Sequence, residues 1–309
     1  MNATEISFGM VMLLQISIGV AMNAFLLLFY TRMVSSNPKR SFSDLILAHL
    51  ALANTIILLT LGVPETISIW GLRNFLGNVG CKVLIYLYRV ARGLAICTTC
   101  LLSVFQAVTI SPTTSWWAGV KARLPRYVLP SCTLALILNM LVDFDTTLFM
   151  TGPQNGSRVR MILDLKYCSK VIESVETALV ISVVLSLRDL LFVGLMSLSS
   201  GYMVFVLHRH HGQVRHLRRP GHSQRAVPEV RVAKKVVALV AFYVLLYGRQ
   251  SVTLSVLLNT RGHFPLLVSS HMVLSFTFSA LSPFLVMHGD RRMRTFWRKG
   301  PPLSNVDDS

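Results

Sequence analysis

The sequence predicts an all-α membrane protein, a seven-transmembrane helix bundle with its N-terminus outside and its C-terminus in the cytoplasm. Three observations carry that expectation: an apolar composition, seven long apolar runs, and a one-sided distribution of Lys and Arg. Of 309 residues, 53% are apolar and only 14% are charged, against about 45–50% and about 25% in average proteins. The mean hydropathy is +0.58. A disordered chain, a collagen-like rod and a disulfide scaffold are all excluded by these values. The net charge of +17 would suit a nucleic-acid binder, but its basic residues come in short clusters between apolar runs. That is the pattern of membrane flanks facing anionic lipid, so no nucleic-acid partner is expected.

A helix needs ~20 mostly apolar residues to cross the hydrocarbon. Seven stretches qualify, approximately 6–30, 45–70, 83–110, 127–150, 178–207, 232–258 and 264–287. The connecting segments are short and show no internal repeat, so residues 1–309 read as one domain with a cytoplasmic tail at 288–309. Met1-Asn2-Ala3-Thr4-Glu5 lacks the positive region of a cleavable signal; the first run is expected to serve as its own insertion signal.

Counting Lys and Arg orients the bundle. The first, third and fifth links and the tail hold 19, among them Arg32, Lys39, Arg40, Lys121, Arg123, Lys234 and Lys235, and the opposite side holds 7. Four more, Arg89, Arg92, Arg188 and Arg249, fall inside apolar runs. The excess marks the cytoplasmic side. The only N-x-[ST] sequons, at Asn2 and Asn155, fall on the expected outer face, where glycosylation occurs; Asn155 is the better placed, Asn2 being almost at the chain end.

Cys81 and Cys168 are the two cysteines expected outside the bilayer, where an oxidising exterior favours their pairing; the alternative is two buried thiols. Cys97-Thr98-Thr99-Cys100 matches C-x-x-C, yet mid-span apolar surroundings disfavour the thiolate that redox or zinc chemistry needs, so it reads as packing. His208, His210, His211, His216 and His222 lie among arginines and read as a solvated basic loop. No metal or other cofactor is expected. Hydrolase, zinc-protease and P-loop signatures are absent, so an enzyme is not expected.

Several stretches have a familiar form. Tyr88-Arg89-Val90-Ala91-Arg92-Gly93 is followed by the run Thr98 to Pro112, which includes Phe105-Gln106-Ala107-Val108-Thr109-Ile110-Ser111-Pro112. With them stand Leu47-Ala48-His49-Leu50-Ala51-Leu52-Ala53-Asn54, Gly80-Cys81-Lys82, Tyr167-Cys168-Ser169 and Ser282-Pro283-Phe284. Together they resemble the vomeronasal type-1 receptors, pheromone receptors of the G-protein-coupled superfamily. The likeness is close from about 40 to 170 and looser beyond. Phe105-Gln106-Ala107 stands where the large receptor families carry Asp-Arg-Tyr, and Ser282-Pro283-Phe284-Leu285-Val286 where they carry Asn-Pro-x-x-Tyr; lacking both switches is typical of the vomeronasal family. The resemblance implies a multi-pass plasma-membrane receptor that binds a small pheromone-like ligand and activates an inhibitory-class heterotrimeric G protein. A bitter-taste-type receptor and a small-solute transporter are the alternatives.

Charges inside spans usually face the bundle interior. Arg89 and Arg92 share a helix face, and Tyr88 with Arg92 is an i,i+4 pair. The expected ligand pocket is lined by Tyr88, Arg89, Arg92, Asp189, Tyr247 and His271; the competing reading pairs Arg92 with Asp189 to join helices three and five. Neighbours diverge on a helix, so Arg188 and Asp189 cannot both point inward, and one must snorkel or reach a neighbouring helix. On the inner face, Lys39, Arg40, Lys121, Arg123, Lys234 and Lys235 are the residues expected to face a G protein. The tail stub around Phe296-Trp297 suits contact with membrane lipid.

Overall fold

A computed structural model describes residues 3–36, 42–72, 75–112, 115–152, 161–165, 167–171, 175–216, 228–259 and 273–288. Its helices are α1 (Ala3–Ser36), α2 (Phe42–Ile57), α3 (Val63–Ile69), α4 (Asn78–Ile110), α5 (Ser115–Val142), α6 (Asp145–Phe149), α7 (Val175–His216), α8 (Pro228–Asn259) and α9 (Thr277–Met287). Helix is the form an apolar run takes in lipid, because it satisfies every backbone N–H and C=O within the segment. Among the described residues, five stretches are long and apolar enough to cross a bilayer: Ile6–Ser36, Phe42–Ile69, Asn78–Ile110, Trp117–Phe149 and Leu179–Arg209. The protein is a multi-pass membrane protein. The 32 residues of α8 are also long enough, at about 1.5 Å per residue, but carry Lys234, Lys235 and Arg249; α9 adds a shorter apolar helix.

α2 runs into α3 through a π-helical turn at Leu58–Gly62. Pro64 explains the irregularity. It has no N–H to offer the carbonyl four residues back, and a widened turn accommodates the missing rung.

α5, the fourth of the apolar runs, differs from its reading at 127–150. It starts at Ser115 and stops at Val142, where Asp143 and Phe144 form a turn into α6. Apolar counting passed straight through Asp143 and Asp145; the structure ends the helix there because both carboxylates turn to partners described below.

α4 is the hub. In its most apolar window 72% of residues are buried, against 28%, 22% and 12% for those of α1, α5 and α7, so those three present most of their surface to lipid. Small residues let its neighbours approach: Ala91, Gly93, Ala95, Cys97, Thr98, Thr99 and Cys100 are all buried. Cys97, Cys100 and Cys132 are free and buried, and Cys97 Sγ accepts from Asn139 Nδ2 at 3.5 Å. Polar pegs fasten α9. Gln15 donates to Thr277 Oγ1 at 2.9 Å, Asn23 to the Ser279 carbonyl at 2.8 Å, and Asn54 to Ser282 Oγ at 3.0 Å. At Gly19 the backbones of α1 and α9 nearly touch; a Cβ there would lie 3.0 Å from Ala280 Cα.

Between α6 and α7 the chain forms a three-stranded antiparallel sheet, with β1 (Met150–Thr151), β2 (Met161–Leu165) and β3 (Cys168–Val171) in the order β1-β3-β2. The Cys81–Cys168 disulfide holds its central strand to the head of α4, and Ile85, Met150 and Tyr167 pack around the bridge. It closes a loop across a sequence separation of 87, which on the chain-entropy scale amounts to about 4–5 kcal/mol. Cys168→Ser is therefore expected to lower surface abundance several-fold, read by flow cytometry of an N-terminal tag. Asn2 and Asn155 lie outside the described residues.

Candidate functional site beneath the lid

Helical spacing decides what α4 presents to its surroundings. At about 100° per residue, Tyr88 and Arg92 lie about 40° apart, and Arg89 lies about 60° beyond Arg92, with Gly93 about 40° further still. One flank of α4 thus turns Tyr88 and Arg92 toward α8. The other turns Arg89 and Gly93 toward α5, and Arg92 stands between the two.

The first flank borders a cavity of ≈ 40 Å³, walled by Tyr88, Arg92, Ala95 and Ile96 of α4, Tyr243, Leu246 and Tyr247 of α8, and Phe278 and Ser279 of α9. Tyr243 and Tyr247 are one helical turn apart and stack with ring centres 6.0 Å apart; Phe278 meets Tyr243 edge-on at 4.9 Å. The Arg92 guanidinium sits 5.9 Å from the centre of the Tyr247 ring, within cation–π range. About two to four turns separate these α4 residues from Cys81, so the cavity lies toward the lid side of the bundle. The lid reaches down as well. Tyr167, beside the disulfide, donates its hydroxyl to Glu65 Oε1 of α3 at 3.1 Å, with both residues buried. Burial, followed by the Glu65 charge, pushes the Tyr167 phenol well above its ordinary value, so it remains a donor at any physiological pH.

The second flank carries a ladder of alternating charge. Arg92 Nη2 is 2.7 Å from Asp189 Oδ2. Asp189 Oδ1 takes Arg188 at 3.1 Å, and Arg188 Nη1 reaches Asp143 Oδ2 at 2.8 Å. The other oxygen of Asp143 faces Arg89 Nε at 3.1 Å, and Arg89 Nη1 lies 3.4 Å from Asp145 and donates to Thr146 Oγ1 at 2.9 Å. Asn139 Oδ1 accepts a further bond from Arg188 Nη1 at 3.2 Å. Three guanidinium groups and three carboxylates cancel, which is the condition for placing six charges inside a bundle. The ladder joins α4, α5, α6 and α7. Its members differ in exposure: the Asp143 side chain is fully buried, whereas the Arg92 side chain keeps 33% exposure.

Of the six residues expected in a pocket, Tyr88, Arg92 and Tyr247 wall the cavity together. Asp189 stands behind Arg92 rather than on the wall, and Arg89 turns away toward Asp143 and Asp145. His271 lies outside the described residues. The pairing and the pocket are thus two faces of one arginine. Arg188 and Asp189 reach toward α5 and α4 respectively but also bond to each other, so both turn into the ladder where one was expected to turn away, and the opposite charge each finds there is what permits it. Sequence reasoning missed Tyr243, Asn139, Asp143 and Asp145. A signal existed for the carboxylates, since Asp189 alone cannot neutralise Arg89, Arg92 and Arg188.

The family follows from comparison with known proteins. The model of the vomeronasal organ pheromone receptor family matches residues 6–299. The chain belongs to that family. Among its relatives, Olfactory receptor class A-like protein 1 of Danio rerio is 38% identical over 93% of this chain and 90% of that protein. Vomeronasal type-1 receptor 3 of Homo sapiens is 36% identical over 93% of the chain and 92% of its own length. Vomeronasal type-1 receptor 4 of Homo sapiens is also 36% identical, over 97% of the chain and 100% of its own length.

At the opposite end of this vomeronasal-family bundle, Lys121 Nζ donates to the Ser111 carbonyl at 2.6 Å, which caps α4. Ser111 Oγ meets the Tyr202 hydroxyl at 3.0 Å, and Trp117 stacks on the Tyr202 ring. Gln106, within Phe105-Gln106-Ala107, is buried and donates to Ser43 Oγ at 3.3 Å. Arg123 and Lys234 are exposed and Lys235 is half-buried; Lys39 and Arg40 lie outside the described residues. Among the described residues, no three His, Cys, Asp or Glu side chains are grouped to hold a metal ion.

Proposed function

We propose that the chain is a single-domain chemosensory receptor of the plasma membrane that crosses the bilayer seven times, with α8 and residues 264–287 as the sixth and seventh spans. The N-terminus faces outward, with Asn155 and Asn2 as glycan acceptors, and the tail at 288–309 faces the cytoplasm. Family membership, the one-sided Lys and Arg count and the disulfide-held lid support this topology. The observation that carries the function is the cavity under the lid, where Arg92, three tyrosines and two serines are set among apolar side chains. Binding sites for small molecules have this composition, with a few polar groups fixing orientation in an apolar cleft. Arginine donates only, so the site suits a small pheromone-like molecule with a hydrogen-bond acceptor on an apolar body. Tyr88, Arg92 and Tyr247 touch it directly, Asp189 acts from behind Arg92, and His271 is a further candidate contact for the ligand. Arg89 acts at one remove, by orienting α4 through Asp143.

A ligand favours the active bundle only by its preference for that state. The inner rim of Lys39, Arg40, Lys121, Arg123, Lys234 and Lys235 then receives an inhibitory-class G protein. The test is G-protein dissociation, read by energy transfer in cells expressing the full chain and challenged with odorants and steroids. Responses that toxin inactivation of the inhibitory class abolishes, and that Arg92→Ala lowers at least ten-fold in potency at equal surface level, are expected. A surface-exposed chain that dissociates no G protein, or that instead moves solute across liposomes, would overturn the reading.

A further inference from the structure

The cavity as it stands is small. A volume of ≈ 40 Å³ has room for a few water molecules at most, far short of the several hundred Å³ of an occupied ligand site. Something must part before a ligand enters, and the contacts identify what. Among the described residues, Arg92 is the side chain that spans the wall: it rises from α4, holds Asp189 of α7 at 2.7 Å and lies against the Tyr247 ring of α8 at 5.9 Å. We infer that Arg92, held in place by Asp189, is a clasp that keeps α8 drawn onto α4 in the resting receptor, and that ligand binding works by exchanging this clasp. This rests on the receptor reading above and adds to it the step by which occupancy becomes movement.

The ladder has the construction such an exchange needs. Arg89 has carboxylates on both sides and Arg188 likewise, whereas Arg92, among the described residues, meets only Asp189 and keeps a third of its side chain exposed. It therefore has N–H donors to spare on the cavity side. When an acceptor on a ligand takes them, Asp189 is not abandoned, because Arg188 holds its other oxygen with both Nε and Nη2 at 3.1 Å. A buried carboxylate left wholly unpaired would be strongly disfavoured; this one retains a partner. Arg188 also stays bound to Asp143 and Asn139 and Arg89 to Asp143, so α4, α5 and α7 remain joined at the other rungs while the clasp to α8 opens. The moving part is α8 against a welded unit of α4, α5 and α7.

The test needs no ligand. Nitroxide labels at Leu141 of α5 and Leu245 of α8, both exposed, report that motion in the full chain reconstituted in nanodiscs, and the free cysteines are buried away from the label. Wild type is expected to give one distance population, and Arg92→Met to add a second, longer one. Arg92→Lys, which keeps charge but loses the planar face over Tyr247, should lie between them. If Arg92→Met fails to fold, Tyr247→Leu opens the same clasp from α8 without touching a charge. Distributions that superimpose for wild type and the variant that folds would overturn the clasp. The two readings fail separately: a chain that never signals yet gains the second population loses the receptor reading and keeps the clasp, and a ligand-responsive chain with unchanged distances does the reverse.

Discussion

Asp143→Leu should nearly abolish the protein at the cell surface. Its carboxylate is fully buried and receives Arg89 from α4 and Arg188 from α7, one on each oxygen. Removing it leaves two guanidinium groups in the bundle with one carboxylate fewer between them. Breaking a buried pair by deleting one partner costs about 3–5 kcal/mol, because the remaining charge is neither solvated nor paired, and here two charges are affected. Asp143→Glu keeps the charge and should recover part of the abundance; Asp143→Asn, neutral but still an acceptor, should fall between. Surface fluorescence and thermal unfolding of detergent-purified protein check the order, leucine below asparagine below glutamate. Equal abundance of all three would mean the ladder does not form.

Gly93→Ala is the second large effect, and its mechanism is steric. Gly93 faces α5 so closely that an added Cβ would run into the Asn139 side chain, with Arg188 Nη1 only 3.4 Å away. Asn139 cannot retreat cheaply, since its amide holds Cys97 and its own Ala135 carbonyl while its oxygen supports Arg188. Overpacking of this kind costs about 1–3 kcal/mol, and displacing Asn139 adds a lost hydrogen bond to a charged group, about 1.5–3 kcal/mol more. The diagnostic is the double variant. Asn139→Ala removes the obstacle, so Gly93→Ala should be far less destabilising in that background than in wild type, by at least about 1 kcal/mol in thermal unfolding. Additive effects would show that the two residues do not touch.

These two positions also show where sequence reading ends. The cysteine pair was legible because both residues flank apolar runs on one side, and the Arg92–Asp189 pairing because opposite charges inside spans must find each other. The placing of Tyr88 beside Arg92 was legible from their i,i+4 spacing. Asp143 and Asp145 were not, because hydropathy averaging absorbs two carboxylates into a long apolar window, and only a charge balance across helices distant in sequence exposes them. Arg89 was assigned to the pocket on the ground that residues three apart share a face. They do, but with about 60° between them, and in this bundle that angle separates the cavity from α5. Which helix stands on which side of α4 is tertiary information, and no spacing within α4 contains it.

The charge ladder holds the bundle together and positions Arg92, and a double-mutant cycle on its cavity end measures it most directly. Arg92→Met, Asp189→Asn and the double variant are compared by thermal unfolding in one detergent. A direct pair at 2.7 Å predicts that the double variant is less destabilised than the sum of the singles by at least about 1 kcal/mol, since contacting residues couple and distant ones add within about 0.5 kcal/mol. A sum that simply adds would place Arg92 and Asp189 apart, and would contradict both the ladder and the clasp built on it.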